Sequence, residues 1–251
     1  MAHPSSPFQL KGRTAFVTGS ARGIGLAIAT RLAQAGARVI LHGASDSDHL
    51  RQAAEKLDME YVTGDLTKPE DTHLLIDRLK ASCPCVDILV LNASCQCYCG
   101  VDDYSLDSFM KMMQANVSAN ILLVQALAPL MAQRGFGRII AIGSMNQAFP
   151  AERLACYSLT KAALSNFMKV VARKYAPSGV TANTILPGLI MTDRNIEKLQ
   201  DTEFRDKLLA EIPAGRIGTP DDCAPLALFL ASDEAAYITG AEIPVAGGWH
   251  L

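Results

Sequence analysis

No run of basic residues interrupts this sequence, and its 23 Lys and Arg against 25 Asp and Glu leave a formal charge of −2. A nucleic-acid or anionic-membrane surface needs a clustered positive field, so neither partner is expected. No apolar stretch reaches the ~18 residues of a membrane span. Residues 1–9, with Pro4 and Pro7, lack both the charged and the apolar segment of a secretory signal. These absences lead to the expectation of a cytoplasmic protein. Linkers, internal repeats and breaks in composition are missing too. The 251 residues, 49% hydrophobic and 19% charged, contain nothing that reads as disordered and enough apolar mass for one large core.

Cysteine is present without the patterns that give it a role. Seven is an odd number, and a chain this long needs no disulfide staples, which fits a reducing compartment. Cys83, Cys85, Cys95, Cys97 and Cys99 fall in Cys-x-Cys steps, whereas zinc sites favour spacings of two to four residues. No metal is assigned. A metal or redox switch on Cys95, Cys97 and Cys99 stands as an alternative to ordinary thiols.

The sequence does contain a short β-prone run, Thr14–Val17, followed at once by Thr18-Gly19-Ser20-Ala21-Arg22-Gly23-Ile24-Gly25. A helical stripe of Ile24, Ala27, Ile28, Leu32 and Ala35 comes next and ends at Gly36. In that context the glycines let the backbone approach a ligand, and the helix N-terminus attracts phosphate, so a dinucleotide site is predicted. Arg38–His42 reads as the second strand. After it stand Gly43, Ala44 and Ser45, with no carboxylate before Asp46 to bind the ribose 2′-hydroxyl of NAD. Without that charge a 2′-phosphate meets no repulsion, and Arg22 can supply the positive partner. NADP is therefore favoured, with NAD as the alternative. Asp46 or Asp48 is expected to cap the next helix, which runs to about Leu57. Gly64-Asp65-Leu66 closes a third strand, Met59–Val62, and Asp65 is read either as an adenine neighbour or as a turn aspartate.

Pro69 opens a helix, and Val86–Leu91 has the continuous apolar character of a buried parallel strand. Asn92-Ala93-Ser94 and the cysteine-rich loop follow at its carboxyl end, the side on which open α/β sheets bind ligands. Two helices are expected at Ser105–Gln114 and Ala119–Arg134, with Asn116 between them. Gly137–Ile142 is the fifth strand, and Gly143-Ser144 turns out of it. Tyr157 and Lys161, four apart, share one face of a long helix. A free phenol, with a pKa of roughly 10, is a poor base at neutral pH, and a neighbouring ammonium favours its ionised form. Val180–Leu186 leads to Pro187-Gly188, and residues 189–213 read as a polar helical lid. Pro220 starts a further helix, and Ala241–Val245 is a last strand whose Pro244 suits a sheet edge.

Taken together, Thr18-Gly-x-x-x-Gly-x-Gly25, Asn92-Ala93, Asn116, Ser144, Tyr157-x-x-x-Lys161 and Pro187-Gly188 with Thr192 resemble the short-chain dehydrogenase/reductase family, from Lys11 onward. The resemblance implies an α/β, Rossmann-type, doubly wound sheet of seven parallel strands with helices on both faces. It implies a single domain over residues 11–251 behind an N-terminal extension of residues 1–10, and a homotetramer or homodimer. Tyr157 would then be the general acid or base for a carbonyl/alcohol pair. Lys161 would bind the nicotinamide ribose and favour the phenolate, Ser144 would hold the substrate oxygen, and Asn116 would bind a water linking Lys161 to solvent. Gly19, Ser20, Arg22, Gly23, Ile24, Gly25, Ala44, Ser45, Asp65, Leu66, Asn92, Ala93 and Ser94 would contact the cofactor. So would Tyr157, Lys161, Pro187, Gly188, Ile190 and Thr192. Two departures stand out: Ser94 replaces a usual glycine, and Gly143 stands where serine is common.

The substrate is expected to be a polar small molecule, such as a sugar, polyol or hydroxy acid. The reason is the polar set Gln96, Tyr98, Asn146, Gln147, Glu152, Arg153, Arg194 and Asn195, with Met145, placed at the mouth. A 3-oxoacyl carrier-protein thioester is the alternative substrate, and a non-catalytic dinucleotide sensor is the alternative class.

Overall fold

The computed structural model describes residues 8–83, 85–249 and 251, with their side chains apart from those at 194, 197, 198 and 204. Of the expected N-terminal extension, residues 1–7 lie outside the described residues. The packed core already includes Phe8, edge-on to Phe229, and Leu10, whose N–H bonds Ala35.

Seven strands form one parallel sheet: β1 (Thr14–Val17), β2 (Arg38–Gly43), β3 (Glu60–Thr63), β4 (Ile88–Leu91), β5 (Gly137–Ile142), β6 (Val180–Pro187) and β7 (Glu242–Val245). Their order is β3-β2-β1-β4-β5-β6-β7. Helices α1 (Gly23–Gln34), α2 (Asp48–Leu57) and α9 (Pro220–Ala231) cover one face. The other face is covered by α3 (Pro69–Ser82), α5 (Ala119–Gln133) and α6 (Ala155–Tyr175). The central strands explain the double layer. In β4, Ile88 and Val90 enter one core while Leu89 and Leu91 enter the other, and β5 divides Ile140 and Ile142 from Ile139 and Ala141 in the same way. Pro244 lies on β7, which pairs only with β6 and so forms the edge that was expected. Strand order reverses between β1 and β4, which places a crevice at their carboxyl ends.

Two local expectations are corrected. Neither Asp46 nor Asp48 caps α2: the Ser47 side chain accepts the Leu50 N–H, while Asp46 turns to Arg51 and the Tyr61 hydroxyl. Nor is there a break at Asn116. α4 (Leu106–Met113) runs into α5 through one π turn, Gln114–Ser118, giving a continuous helix over Leu106–Gln133. That helix is long and apolar enough by length and composition to cross a membrane, contrary to the reading of the sequence, yet more than half of its apolar window is buried inside the protein. The π turn inserts one extra residue and turns Asn116 towards Cys95 and Thr160 without ending the helix.

Gly25 sets the distance between α1 and the sheet. A Cβ there would stand 2.4 Å from the Gly19 carbonyl oxygen and 2.5 Å from Asn92 Nδ2. Gly25→Ala is therefore predicted to cost about 2 kcal/mol of stability by overpacking, measured by chemical denaturation; an unchanged midpoint would show that the loop yields freely.

Candidate active site

The carboxyl ends of the central strands open into one cleft of about 1040 Å³. Its first half is built on the loop between β1 and α1. Arg22 at the head of α1 offers no side-chain cap, and the first turn carries no acidic residue, so no carboxylate of that turn competes for its N–H groups. Asn92, at the end of β4, fixes this loop: its Nδ2 donates to the carbonyls of Thr18 and Gly19, each at 2.9 Å. Thr18 Oγ1 in turn accepts the N–H groups of Asn92 (2.9 Å) and Ala93 (3.0 Å).

His42, which sequence reasoning treated only as a strand residue, closes the loop from the other side. Gly19 donates its N–H to His42 Nδ1, and His42 Nε2 lies 3.0 Å from the Gly64 carbonyl, both on a side chain only 2% exposed. The Nδ1 lone pair must be free to accept, so the proton sits on Nε2 and the ring is neutral. Burial lowers its pKa to about 4, against a smaller upward pull from the Gly64 carbonyl.

Gly43, Ala44 and Ser45 line the cleft beyond β2, and Asp46 does not. Ser47 and His49 join them, unforeseen because only the start of α2 places them there. Arg22 reaches across to Asp193 on α7 (Asp193–Leu199) at 3.1 Å, and both side chains are largely exposed. Asp65 and Leu66 line the same half, and the Asp65 carboxylate also accepts from the Thr67 N–H and hydroxyl, as a turn aspartate does.

The second half gathers Ser144, Tyr157 and Lys161, all buried at the cleft wall. Lys161 Nζ donates to the Ile142 carbonyl at 2.7 Å and lies 5.7 Å from the Tyr157 ring centroid. Ser144 opens a single helical turn, Met145–Gln147, its Oγ accepting from the N–H (3.2 Å) and the Nδ2 (3.3 Å) of Asn146. Ala93, Ser94, Pro187, Gly188, Ile190 and Thr192 line the cleft as well. Thr192 reaches over Gly23, and Ile190 bridges to Gly218.

Three expected site residues sit behind the wall. Ser20 is fully buried, donating to the Val17 carbonyl and accepting from the His42 N–H. Gly25 acts through packing. Asn116 spends its carboxamide on the backbone of Cys95 (2.9 Å in both directions) and on Thr160 Oγ1 (3.0 Å). Of the polar mouth, Gln96, Tyr98, Asn146, Arg153 and Asn195 line the cleft; Met145, Gln147 and Glu152 do not, and the side chain of Arg194 lies outside the described residues. Glu211 and Trp249 line it as well, joined at 3.2 Å, without any signal in the local sequence.

All seven cysteines are free thiols, and the described residues hold no group of three or more His, Cys, Asp or Glu arranged for a metal. Cys99 packs with Leu154, Met112 and Tyr157, with Cys156 beside them; burial and then the Cys99 thiol push the Cys156 thiol upward.

Comparison with known proteins places these features in context. A family model described as enoyl-(acyl carrier protein) reductase matches residues 19–250. L-rhamnose 1-dehydrogenase (NAD(P)(+)) of Azotobacter vinelandii is 36% identical over 246 residues, covering 94% of this chain and 96% of that protein. Among solved structures, a 3-oxoacyl (acyl-carrier-protein) reductase of Agrobacterium tumefaciens with NADP bound superposes with a TM-score of 0.93 at 37% identity, over 98% of each chain. A gluconate 5-dehydrogenase of Burkholderia cenocepacia, in complex with NADP and tartrate, gives 0.92 at 32% identity over 99% of each chain.

The His42 clasp predicts a pH dependence of stability. The unfolded chain takes up the proton near 6.5, whereas the folded one refuses it until about 4. Stability present above pH 6.5 is therefore lost as pH falls towards 4. Denaturation at pH 7, 5.5 and 4.5 should show this slope in the wild type and a flatter one in His42→Gln; parallel slopes would remove His42 as its source.

Proposed function

This chain belongs to the short-chain dehydrogenase/reductase family, and from that premise we propose that it is an NAD(P)-dependent oxidoreductase interconverting a carbonyl and an alcohol on a small polar substrate, with NADP the preferred cofactor. The observation that carries the reading is that Ser144, Tyr157 and Lys161 line the same cleft as an uncapped helix N-terminus. A dinucleotide sensor would need only the helix N-terminus.

The residues present fit the cofactor. The loop over Gly19, Arg22, Gly23 and Ile24 at the head of α1 takes the phosphates, with Ser20 and Gly25 shaping it from behind. Ala44, Ser45 and Arg22 take the 2′-phosphate, and Asp65 and Leu66 the adenine. Asn92, Ala93 and Ser94 would contact the cofactor, and Pro187, Gly188, Ile190 and Thr192 would hold its nicotinamide. Bound there, the nicotinamide supplies or accepts the hydride. The protein handles the proton. Ser144 donates a hydrogen bond to the substrate oxygen, and Tyr157 gives that oxygen its proton in reduction or removes it in oxidation. Lys161, held by the Ile142 carbonyl, keeps a positive charge beside the phenol and so favours the phenolate. Asn116 contributes by tying Cys95 to Thr160, since both N–H bonds of its amide are already engaged.

Gln96, Tyr98, Asn146, Arg153, Asn195 and Glu211 in the cleft support a sugar, polyol or hydroxy acid. A 3-oxoacyl thioester is the second reading, favoured by Leu199 and Leu208 on the side of α7 and α8 (Thr202–Ala210). Residues 189–213 act as the substrate lid, fastened to the glycine loop by Asp193 and Arg22. Exposed Leu106 and Met110 on α4, with Leu159 and Val170 on α6, suit the subunit contacts of a homotetramer or homodimer. Seven free thiols fit a cytoplasmic setting.

Two measurements test the reading. With L-rhamnose, D-gluconate and an acetoacetyl thioester as probes, Tyr157→Phe should lower turnover about 10³-fold while cofactor binding, followed by Trp249 fluorescence, stays nearly unchanged; retained turnover would refute the assignment. Arg22→Ala should lower kcat/KM for the NADP couple about tenfold relative to the NAD couple, and an equal effect on both would remove Arg22 from 2′-phosphate recognition.

A further inference from the structure

Gln147 lies one short turn beyond Ser144 yet faces away from the cleft. Its Oε1 accepts the Ser144 N–H at 3.3 Å, and its Nε2 donates to Glu242 Oε2 at 3.3 Å. Glu242 is paired in register with Thr184 on β6, and its other oxygen meets Lys169 Nζ at 2.5 Å. Lys169 lies two turns beyond Lys161 on α6, so the chain of contacts starts at the Ser144 turn and returns to the helix that carries Tyr157. Burial works against the Glu242 charge, but Lys169, then the Ser165 hydroxyl and last Gln147 outweigh it and hold the carboxyl below its ordinary range.

Gly143 makes room for this arrangement. A Cβ at that position would stand 2.5 Å from Gln147 Oε1, 2.8 Å from Leu186 Cδ2 and 2.9 Å from Thr184 Cγ2. The glycine that departs from the usual serine is thus matched to a glutamine four residues on, whose amide occupies the space a side chain at 143 would need. We propose that Gln147, braced by Glu242 and Lys169, is a positioning residue that fixes the Ser144 hydroxyl against the reacting oxygen. This rests on the reading of Ser144 given above. Gln147 touches neither substrate nor cofactor; it acts by holding the Ser144 backbone, where a small displacement is costly because the hydroxyl must meet an oxygen at a set place.

The test has a kinetic and a structural arm. On whichever of L-rhamnose, D-gluconate and the acetoacetyl thioester turns over, Gln147→Ala should lower kcat about tenfold with KM and NADPH affinity within about twofold. Gly143→Ser should lower it further, and the double variant Gly143→Ser/Gln147→Ala should recover part of that further loss, because the clash with the Gln147 amide is gone while those with Leu186 and Thr184 remain. Gln147→Glu should be worse than Gln147→Ala by repulsion from Glu242, and Gln147→Glu/Glu242→Gln should restore the bridge and the rate. Independently of turnover, amide hydrogen exchange at Ser144 should quicken about tenfold in Gln147→Ala with the rest of β5 unchanged. Wild-type kcat or unchanged exchange in Gln147→Ala overturns the proposal, as does a Gln147→Glu/Glu242→Gln double variant no better than Gln147→Glu. If Ser144→Ala is itself as active as wild type, the reading of Ser144 fails instead.

Discussion

An ammonium group 2% exposed to solvent is the constraint from which the rest of the site follows. A charge in that position is tolerated only when hydrogen bonds replace the water it has lost. The Ile142 carbonyl supplies one at 2.7 Å, which pins α6 to the carboxyl end of β5. Once Lys161 is placed, Tyr157 lies one helical turn away at the same wall, and the turn out of β5 can only deliver Ser144 beside it. The parallel sheet makes this possible because the carboxyl ends of β1, β4, β5 and β6 all emerge on the same side, so groups from distant parts of the chain share one crevice.

Much of the fold was legible because its punctuation is local. β5 was read with its observed bounds, Gly137–Ile142, a segment that glycines at 137 and 143 mark off, and α9 begins at Pro220, where a fixed φ starts a helix. The reading failed where local signals were degenerate. Ser45, Asp46, Ser47 and Asp48 are all cap formers, and only the direction in which the chain leaves β2 selects Ser47. An asparagine between two helical stripes looks like a break, yet a π turn keeps the backbone helical and costs little when its amide is fully hydrogen-bonded.

The same contrast runs through the site. Tyr157 and Lys161 were visible because four residues make one helical turn, and the glycine loop because strand, loop and helix are contiguous. His42 was read only as a strand residue and Gln147 as part of the polar mouth, since their partners Gly19, Gly64 and Glu242 are distant and no local pattern encodes a contact spanning 22, 23 or 95 residues. Their partners decide their roles: a histidine kept neutral by desolvation accepts a backbone N–H as a fixed structural group, and a half-buried glutamine outside the cleft lining places another residue.

The stitching of the glycine loop has a consequence for how the chain meets its ligand. The bonds from Asn92 to Thr18 and Gly19 join segments more than seventy positions apart, across the pairing of β1 with β4. A partly folded chain lacking that pairing has no cradle for a phosphate, so affinity arrives together with long-range topology. Ligand free energy is then linked to the cooperative unfolding of the whole sheet and not to the fraying of one loop. In the cell, an abundant dinucleotide would act as a selective stabiliser of completed molecules, lengthening their lifetime against proteolysis while leaving unfinished ones unprotected.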